Sequence, residues 1–295
     1  MSRARERFRG VLSGSTCVLA ANIFDPLSAR IADMLGYQVC VLSGSVGKAA
    51  NLGVPDIVLS NMSDVVDHCR RITRMAEVSL MVDAEDGFGN AVNVRRTVQE
   101  MEMAGVAAIE IEDNIVPKSF NVESPGLVSK EEQAGKLKAA VASRTDPSTV
   151  IVARTSALAE CPLEEALDRI RSYSTTGAEA LMLAAVPRGR ADIAAVHQAT
   201  SLPICMLNPP PEARNDSAFL AANGVRILML GNPTYAIAVK AIYDALKHLQ
   251  EGTALEDLKE LQAPPALLRA VNRTEEFMQW QQEYRPSGNR QLNNR

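Results

Sequence analysis

Short apolar runs rich in β-formers alternate with segments of 3.6-residue apolar spacing along nearly the whole chain. No other feature limits its folding so tightly. The runs are Thr16–Ala20, Gln38–Leu42, Val78–Val82, Ala107–Ile111, Thr149–Ala153, Ala178–Leu183, Pro203–Met206 and Arg226–Leu230, eight in all. Helix-period stretches lie between them at Pro26–Leu35, Met62–Met75, Val92–Met103, Lys130–Ala142, Leu163–Ser174 and Ile193–Thr200, and Tyr235–His248 follows the last. Strands separated by helices pair in parallel through crossovers. Eight such units within residues 1–250 match a (β/α)8 TIM barrel. The rival is a doubly wound open sheet, but no GxGxxG fingerprint follows the first run.

After His248 the pattern changes. Leu255–Leu261, Pro265–Val271 and Thr274–Tyr284 read as short helices, so residues 251–295 are expected to form a helical extension and tail outside the barrel. Phe277, Trp280 and Tyr284 on the last helix pack either on another subunit, where such anchors are over-represented, or back on the same chain. The polar end Arg285–Arg295 is expected to fray.

Several partner classes are excluded by charge and patterning. The net charge of −4 is interspersed, with no basic stripe to meet nucleic acid. No apolar run approaches the roughly 18 residues of a membrane span. The basic opening Ser2–Arg7 leads into no apolar segment of the kind a secretory signal needs. Cys17, Cys40, Cys69, Cys161 and Cys205 are odd in number and have no CxxC spacing, which points to a reducing cytoplasm.

Active sites of barrels lie at the carboxyl ends of the strands. There the chain places Asn22-Ile23-Phe24-Asp25-Pro26, Ser43-Gly44-Ser45, Asp83-Ala84-Glu85-Asp86, Glu110-Ile111-Glu112-Asp113, Arg154-Thr155-Ser156, Asn208 with Pro209–Pro211, and Gly231-Asn232-Pro233. Clustered acids at strand tips suit a hard divalent cation, which takes oxygen ligands and keeps several waters. Arg154 can clamp a carboxylate in bidentate fashion, and Ser43-Gly44-Ser45 can offer hydroxyls and backbone N–H groups to the same anion. Plainer roles are open to each piece: an acidic turn, ordinary turn chemistry at the serines, a structural ion pair for Arg154. All three histidines, His68, His197 and His248, fall on expected helices, so no Ser-His-Asp or Cys-His apparatus is expected. Lys48 and Lys118 read as loop residues and suggest no Schiff base.

Taken in order, Asn22–Ala29, Ser43-Gly44-Ser45, Asp83–Asn90, Glu112-Asp113 and Ala153-Arg154-Thr155 resemble the isocitrate lyase/phosphoenolpyruvate mutase superfamily, over about Phe8 to His248. Within it the pattern is most similar to the bacterial oxaloacetate decarboxylases. The resemblance implies Mg2+, replaceable by Mn2+, with Asp83 as direct ligand and Glu85, Asp56 and Glu112 holding its waters. It implies that Ser43, Gly44 and Ser45 bind the carboxylate and keto oxygens of a small 2-oxo acid and Arg154 its carboxylate; Arg154 and Asn232, the latter also expected to bind substrate, are the candidate catalytic residues. It implies a homo-oligomer, a dimer of dimers, with the C-terminal helix exchanged between partners. Two positions depart from the family: Glu85 stands where Asp is common, and Asn232 where the decarboxylases carry His. Asn hydrogen-bonds but donates no proton near neutral pH.

The segment Asn114–Glu123 separates the superfamily's chemistries. Its C–C lyases carry a Lys-Cys-Gly-His loop there, and its phosphonomutases a Lys-Thr-Asn group; here Lys118-Ser119 is followed by Phe120, with no Cys or His. The expected reaction is decarboxylation of oxaloacetate, or a close 2-oxo diacid, to pyruvate and CO2 through an enolate held at the metal. The alternatives are another C–C or C–P lyase or mutase of the superfamily (acting on 2-methylisocitrate or phosphonopyruvate), or a non-catalytic binder of 2-oxo acids.

Overall fold

The computed structural model describes residues 2–285; the end expected to fray lies, from Pro286 onward, outside them. Nine parallel strand segments appear: β1 (Val18–Leu19), β2 (Ala21–Asn22), β3 (Cys40–Leu42), β4 (Leu80–Asp83), β5 (Ala108–Glu112), β6 (Val150–Thr155), β7 (Ala180–Leu183), β8 (Ile204–Leu207) and β9 (Val225–Met229). Only Ala20 separates β1 from β2. Val18 pairs with Ile227 of β9, while Ala21 pairs with Cys40 of β3. One extended segment thus bridges the first and last neighbours and closes the sheet into the expected eight-unit barrel. It starts two residues later than the apolar run suggests, because pairing to both flanks carries the strand on into polar Asn22.

Strand alternation sorts the side chains into two apolar layers. Val41, Met81, Ala108, Val150, Val152, Ala180, Met182, Cys205, Ile227 and Met229 pack inside the barrel. Their neighbours Leu42, Leu80, Val82, Ile109, Ile111, Ile151, Leu181 and Ile204 pack outward against the helices. The inward parity carries on to Asp83, Glu110, Glu112 and Arg154 at the carboxyl ends of β4, β5 and β6.

The far end of the barrel is closed by a helix that the sequence reading missed, Arg3–Ser13. Its Phe8, Val11 and Leu12 join the inner layer, and buried Arg5 binds the carbonyls of Val106 and Glu102 and the Asp146 carboxylate. Four arginines in this segment hid its one-sided apolar spacing. The residues up to Ile237 form one compact unit and those from Ala238 onward another. In the second, Leu255–Leu261 is a 3-10 helix, Pro265–Val271 and Thr274–Glu283 are α-helices, and Leu258 and Val271 are buried. No helix among the described residues is long and apolar enough to cross a membrane.

Candidate active site

The acidic motif is folded by its own side chains. Asp83 Oδ1 accepts the Glu85 N–H at 3.0 Å, and Asp86 Oδ1 accepts the Phe88 N–H at 3.0 Å. These Asx-type turns reverse the chain twice. They hold Glu85 and Phe88 at φ of 51° and 61°, uncommon for residues with a Cβ. Gly87 between them, at φ 89°, is required: a Cβ there would stand 2.4 Å from Val94 Cγ2. Asp86 then turns away from the barrel mouth to Lys136, 3.4 Å distant, and is structural. Asp113 likewise leaves the mouth, accepting from Thr155 and Tyr173 at 2.8 Å each.

The remaining acids converge on Arg154. Its Nη1 lies 2.5 Å from Asp83 Oδ2 and 3.6 Å from Glu110 Oε2, and its Nε lies 3.2 Å from Glu112 Oε2. Glu85 turns instead to Lys48, whose ammonium also lies 3.0 Å from Asp56 Oδ1. Lys48 is thus no loop residue: it sits buried on helix Gly44–Leu52, its side chain 2% exposed. That helix also revises the reading of Ser43-Gly44-Ser45 as a turn. Ser43 is the N-cap, and the Gly44 N–H donates to Asp83 Oδ2 at 3.2 Å. The first turn of a helix presents unpaired N–H groups to an anion, so the segment suits a carboxylate better than a plain turn does. A Cβ on Gly44 would stand 2.8 Å from Glu85 Oε1 and 3.2 Å from both Asp83 Oδ2 and Lys48 Nζ, so any larger residue would push these side chains aside.

A second network faces the acids. Asn232 Oδ1 accepts from Asn22 Nδ2 at 3.1 Å and from Ser43 Oγ at 3.2 Å, and its Nδ2 donates to Ser45 Oγ at 3.2 Å. Side chains from β2, the start of the helix after β3 and the turn after β9 are thereby locked together. Acids and amides line one cavity of about 880 Å³, which contains every residue assigned to the site from sequence: Ser43, Gly44, Ser45, Asp56, Asp83, Glu85, Glu112, Arg154 and Asn232. Residues 116–122, with Asn114 and Pro125, form one wall of it. This loop is pinned at its base by Ile115 N–H to Gly126 O at 3.1 Å and Val128 N–H to Asp113 O at 2.9 Å, and Phe120 stands almost fully exposed on it.

Electrostatics follow from packing acids out of water. Burial pushes Glu110 up to about 7 and, with the nearby charges of Asp83, Glu85 and Glu110, pushes Glu112 up to about 8. Burial and the Asp83 charge raise Glu85 to about 7 despite Lys48. Burial alone would raise Asp83 too, but the Arg154 guanidinium and the N–H groups of Glu85 and Gly44 hold it below the usual carboxylate range. Asp83 is therefore the acid of this cluster whose surroundings favour the ionised form. Buried Glu110 Oε2 accepts no hydrogen bond and lies 3.6 Å from Arg154 Nη1. Among the described residues no three His, Cys, Asp or Glu side chains converge closely enough to chelate one ion directly. The carboxylates lining the cavity are oxygen ligands of the kind a hard divalent cation takes.

Lys48, Glu110 and Asn22, which bond or pair with the assigned residues, were given no role from sequence. Lys48 was hidden because nothing local marks Gly44–Leu52 as a helix facing the acids. Glu110 shares its side of β5 with Glu112, and parity alone did not say that both reach the mouth. Asn22 lay within the resembling motif, at the end of the first run, and strand parity was the signal for it.

A family model described as phosphoenolpyruvate phosphomutase matches residues 8–250. An oxaloacetate decarboxylase of Rhodopseudomonas palustris (strain BisB18) is 44% identical over 276 residues, covering 94% of this chain and 91% of that protein. Among solved structures, a phosphonopyruvate hydrolase in complex with oxalate and Mg2+ superposes with a TM-score of 0.80 at 27% identity, covering 95% of this chain and 99% of its own. An oxaloacetate acetylhydrolase in complex with the product oxalate does so with a TM-score of 0.81 at 26% identity, covering 95% and 97%. With this fold, this strand-end acid motif and a match across most of its length, the chain belongs to the phosphoenolpyruvate phosphomutase family.

Proposed function

We propose that this chain is a carboxy-lyase that converts oxaloacetate to pyruvate and CO2. The observation that carries the reading is the pairing, in one cavity, of an acid cluster around Arg154 with the Asn232–Ser43–Ser45 network at a helix start. The 44% identity to an oxaloacetate decarboxylase supports the substrate, and the oxalate and Mg2+ of the phosphonopyruvate hydrolase support a 2-oxo acid and a divalent cation.

Asp83 would hold the cation directly, and Glu85, Asp56 and Glu112 would hold its waters. When bound, Mg2+ supplies Lewis-acid stabilisation of charge gathering on the keto oxygen. The chain's own groups do the rest. Arg154 pairs with a substrate carboxylate, while the Gly44 N–H and the hydroxyls of Ser43 and Ser45 fix the 2-oxo acid end. The C3–C4 bond breaks, its electron pair enters the C2–C3 enolate, and CO2 leaves. Water or an acid of the cavity delivers the proton to C3; Asn232 carries none to give. Apolar Phe120 on the wall loop suits a departing neutral CO2 and offers a phosphoryl group nothing.

We also propose a homo-oligomer, a dimer of dimers with exchanged C-terminal helices, working in the cytoplasm. Exposed Leu267, Leu268, Phe277 and Trp280 on the C-terminal helices, and five free cysteines, support this part of the reading. Purified protein with Mg2+ should release pyruvate from oxaloacetate, followed by NMR alongside other 2-oxo diacids, 2-methylisocitrate and phosphonopyruvate. Turnover of either of the last two, with oxaloacetate untouched, would replace the decarboxylase by a lyase or phosphonate chemistry. Binding without turnover of any would leave a 2-oxo acid binder.

A further inference from the structure

The acid cluster contains a cation that the reaction above does not use. Lys48 Nζ bonds Glu85 Oε1 and lies 3.0 Å from Asp56 Oδ1, joining the turn after β4 to the segment that follows its own helix. Its side chain is 2% exposed, which leaves almost no surface for substrate, whereas Asp56 is 62% exposed and has no other ion pair among the described residues. Gly44 lets ammonium, Glu85 and Asp83 crowd one point of backbone: Lys48 Nζ and Asp83 Oδ2 each lie 3.2 Å from where its Cβ would be.

We propose that Lys48 is a positioning residue and resident counter-cation: it holds Glu85 and Asp56 in place without metal and loosens the site's hold on a divalent cation. The inference rests on the metal reading given above. The five carboxylates Asp56, Asp83, Glu85, Glu110 and Glu112 face two cations, Lys48 and Arg154. Removing one positive charge next to the ion's outer ligands removes a repulsion. At a separation of a few ångströms in a partly buried site, that repulsion weakens binding by about tenfold, even after screening.

The test is Mn2+ binding to metal-stripped full-length protein, read by electron paramagnetic resonance without substrate. Lys48→Gln, which keeps a donor for Glu85 but loses the charge, should bind Mn2+ about fivefold or more tightly than wild type. It should also show a larger Mn2+-induced rise in Tm, as tighter binding to the native state requires. Lys48→Arg, which keeps the charge, should stay within about twofold. Lys48→Met repeats the neutral test should the glutamine variant fail to fold, folding being read by circular dichroism. Unchanged or weaker Mn2+ binding in a folded neutral variant overturns the role of Lys48 while leaving the metal site standing. A wild type that binds no Mn2+ overturns both.

Discussion

Asn232 offers the sharpest measurement on this site. Replacement by Ala deletes an acceptor for Asn22 Nδ2 and Ser43 Oγ and a donor to Ser45 Oγ, three bonds of 3.1–3.2 Å. A buried polar group left unmet costs about 1–3 kcal/mol. All four residues are only half-buried, so water can refill part of the gap, and the cost falls toward about 1–2 kcal/mol. If Ser43 and Ser45 must be held for the reacting pose, that energy appears in the barrier, and kcat falls roughly five- to thirtyfold. Pyruvate release from oxaloacetate, followed continuously at saturating Mg2+ with circular dichroism as a folding check, measures it. Asn232→His should fold, because the position faces the open cavity. It should keep or raise turnover and add a pH dependence near the imidazole pKa of about 6.5. A folded Asn232→Ala with wild-type kcat and KM would refute the claim that this network sets the pose.

Asp83→Ala should abolish turnover, and EDTA should do the same to wild type with Mg2+ or Mn2+ restoring it; full activity after metal stripping would sink the metal reading. A correctly folded variant lacking all five cysteines should keep its activity, because burial raises the thiols of Cys17, Cys40 and Cys69 to about 11, 12 and 12 and leaves them unreactive; loss of turnover would point to a C–C lyase with a catalytic thiol. Far from the mouth, burial alone would raise Glu102, but hydrogen bonds from Thr145, Asp146 and Thr149 hold it below the usual carboxylate range. A lowered folded-state pKa means its stabilisation is complete above the unfolded value of about 4.3 and is lost as pH falls through the lower folded value. Urea midpoints should therefore drop on acidification below about pH 4 in wild type and less steeply in Glu102→Gln; parallel slopes would remove Glu102 from the acid transition.

The barrel was legible because its two periods are local. A parallel strand buried on both faces must be apolar throughout, and the crossover helix must show 3.6-residue spacing, so each unit announces itself over a dozen residues. The identity of the strand-tip groups followed from the same reading, because a strand's end is where apolar character stops. The helix Arg3–Ser13 escaped because four arginines masked Phe8, Val11 and Leu12, whose partners lie across the barrel. Asp86 and Asp113 read as members of the acidic edge, and only their distant partners, Lys136 and Tyr173, draw them out of it.

What the sequence determined by itself, then, was the alternation that closes a barrel and the acids, arginine, serines and amide that gather at one end of it. Closure itself was decided in three dimensions, where Ala20 lets one short segment pair with both β9 and β3. So was the division of labour among the carboxylates: Asp83 closest to Arg154, Glu112 and Glu110 farther from the same guanidinium, Glu85 against Lys48. The partners of Glu85 and Asp83 stand 37 and 71 residues away in sequence but a few ångströms away in space. No window along the chain contains them.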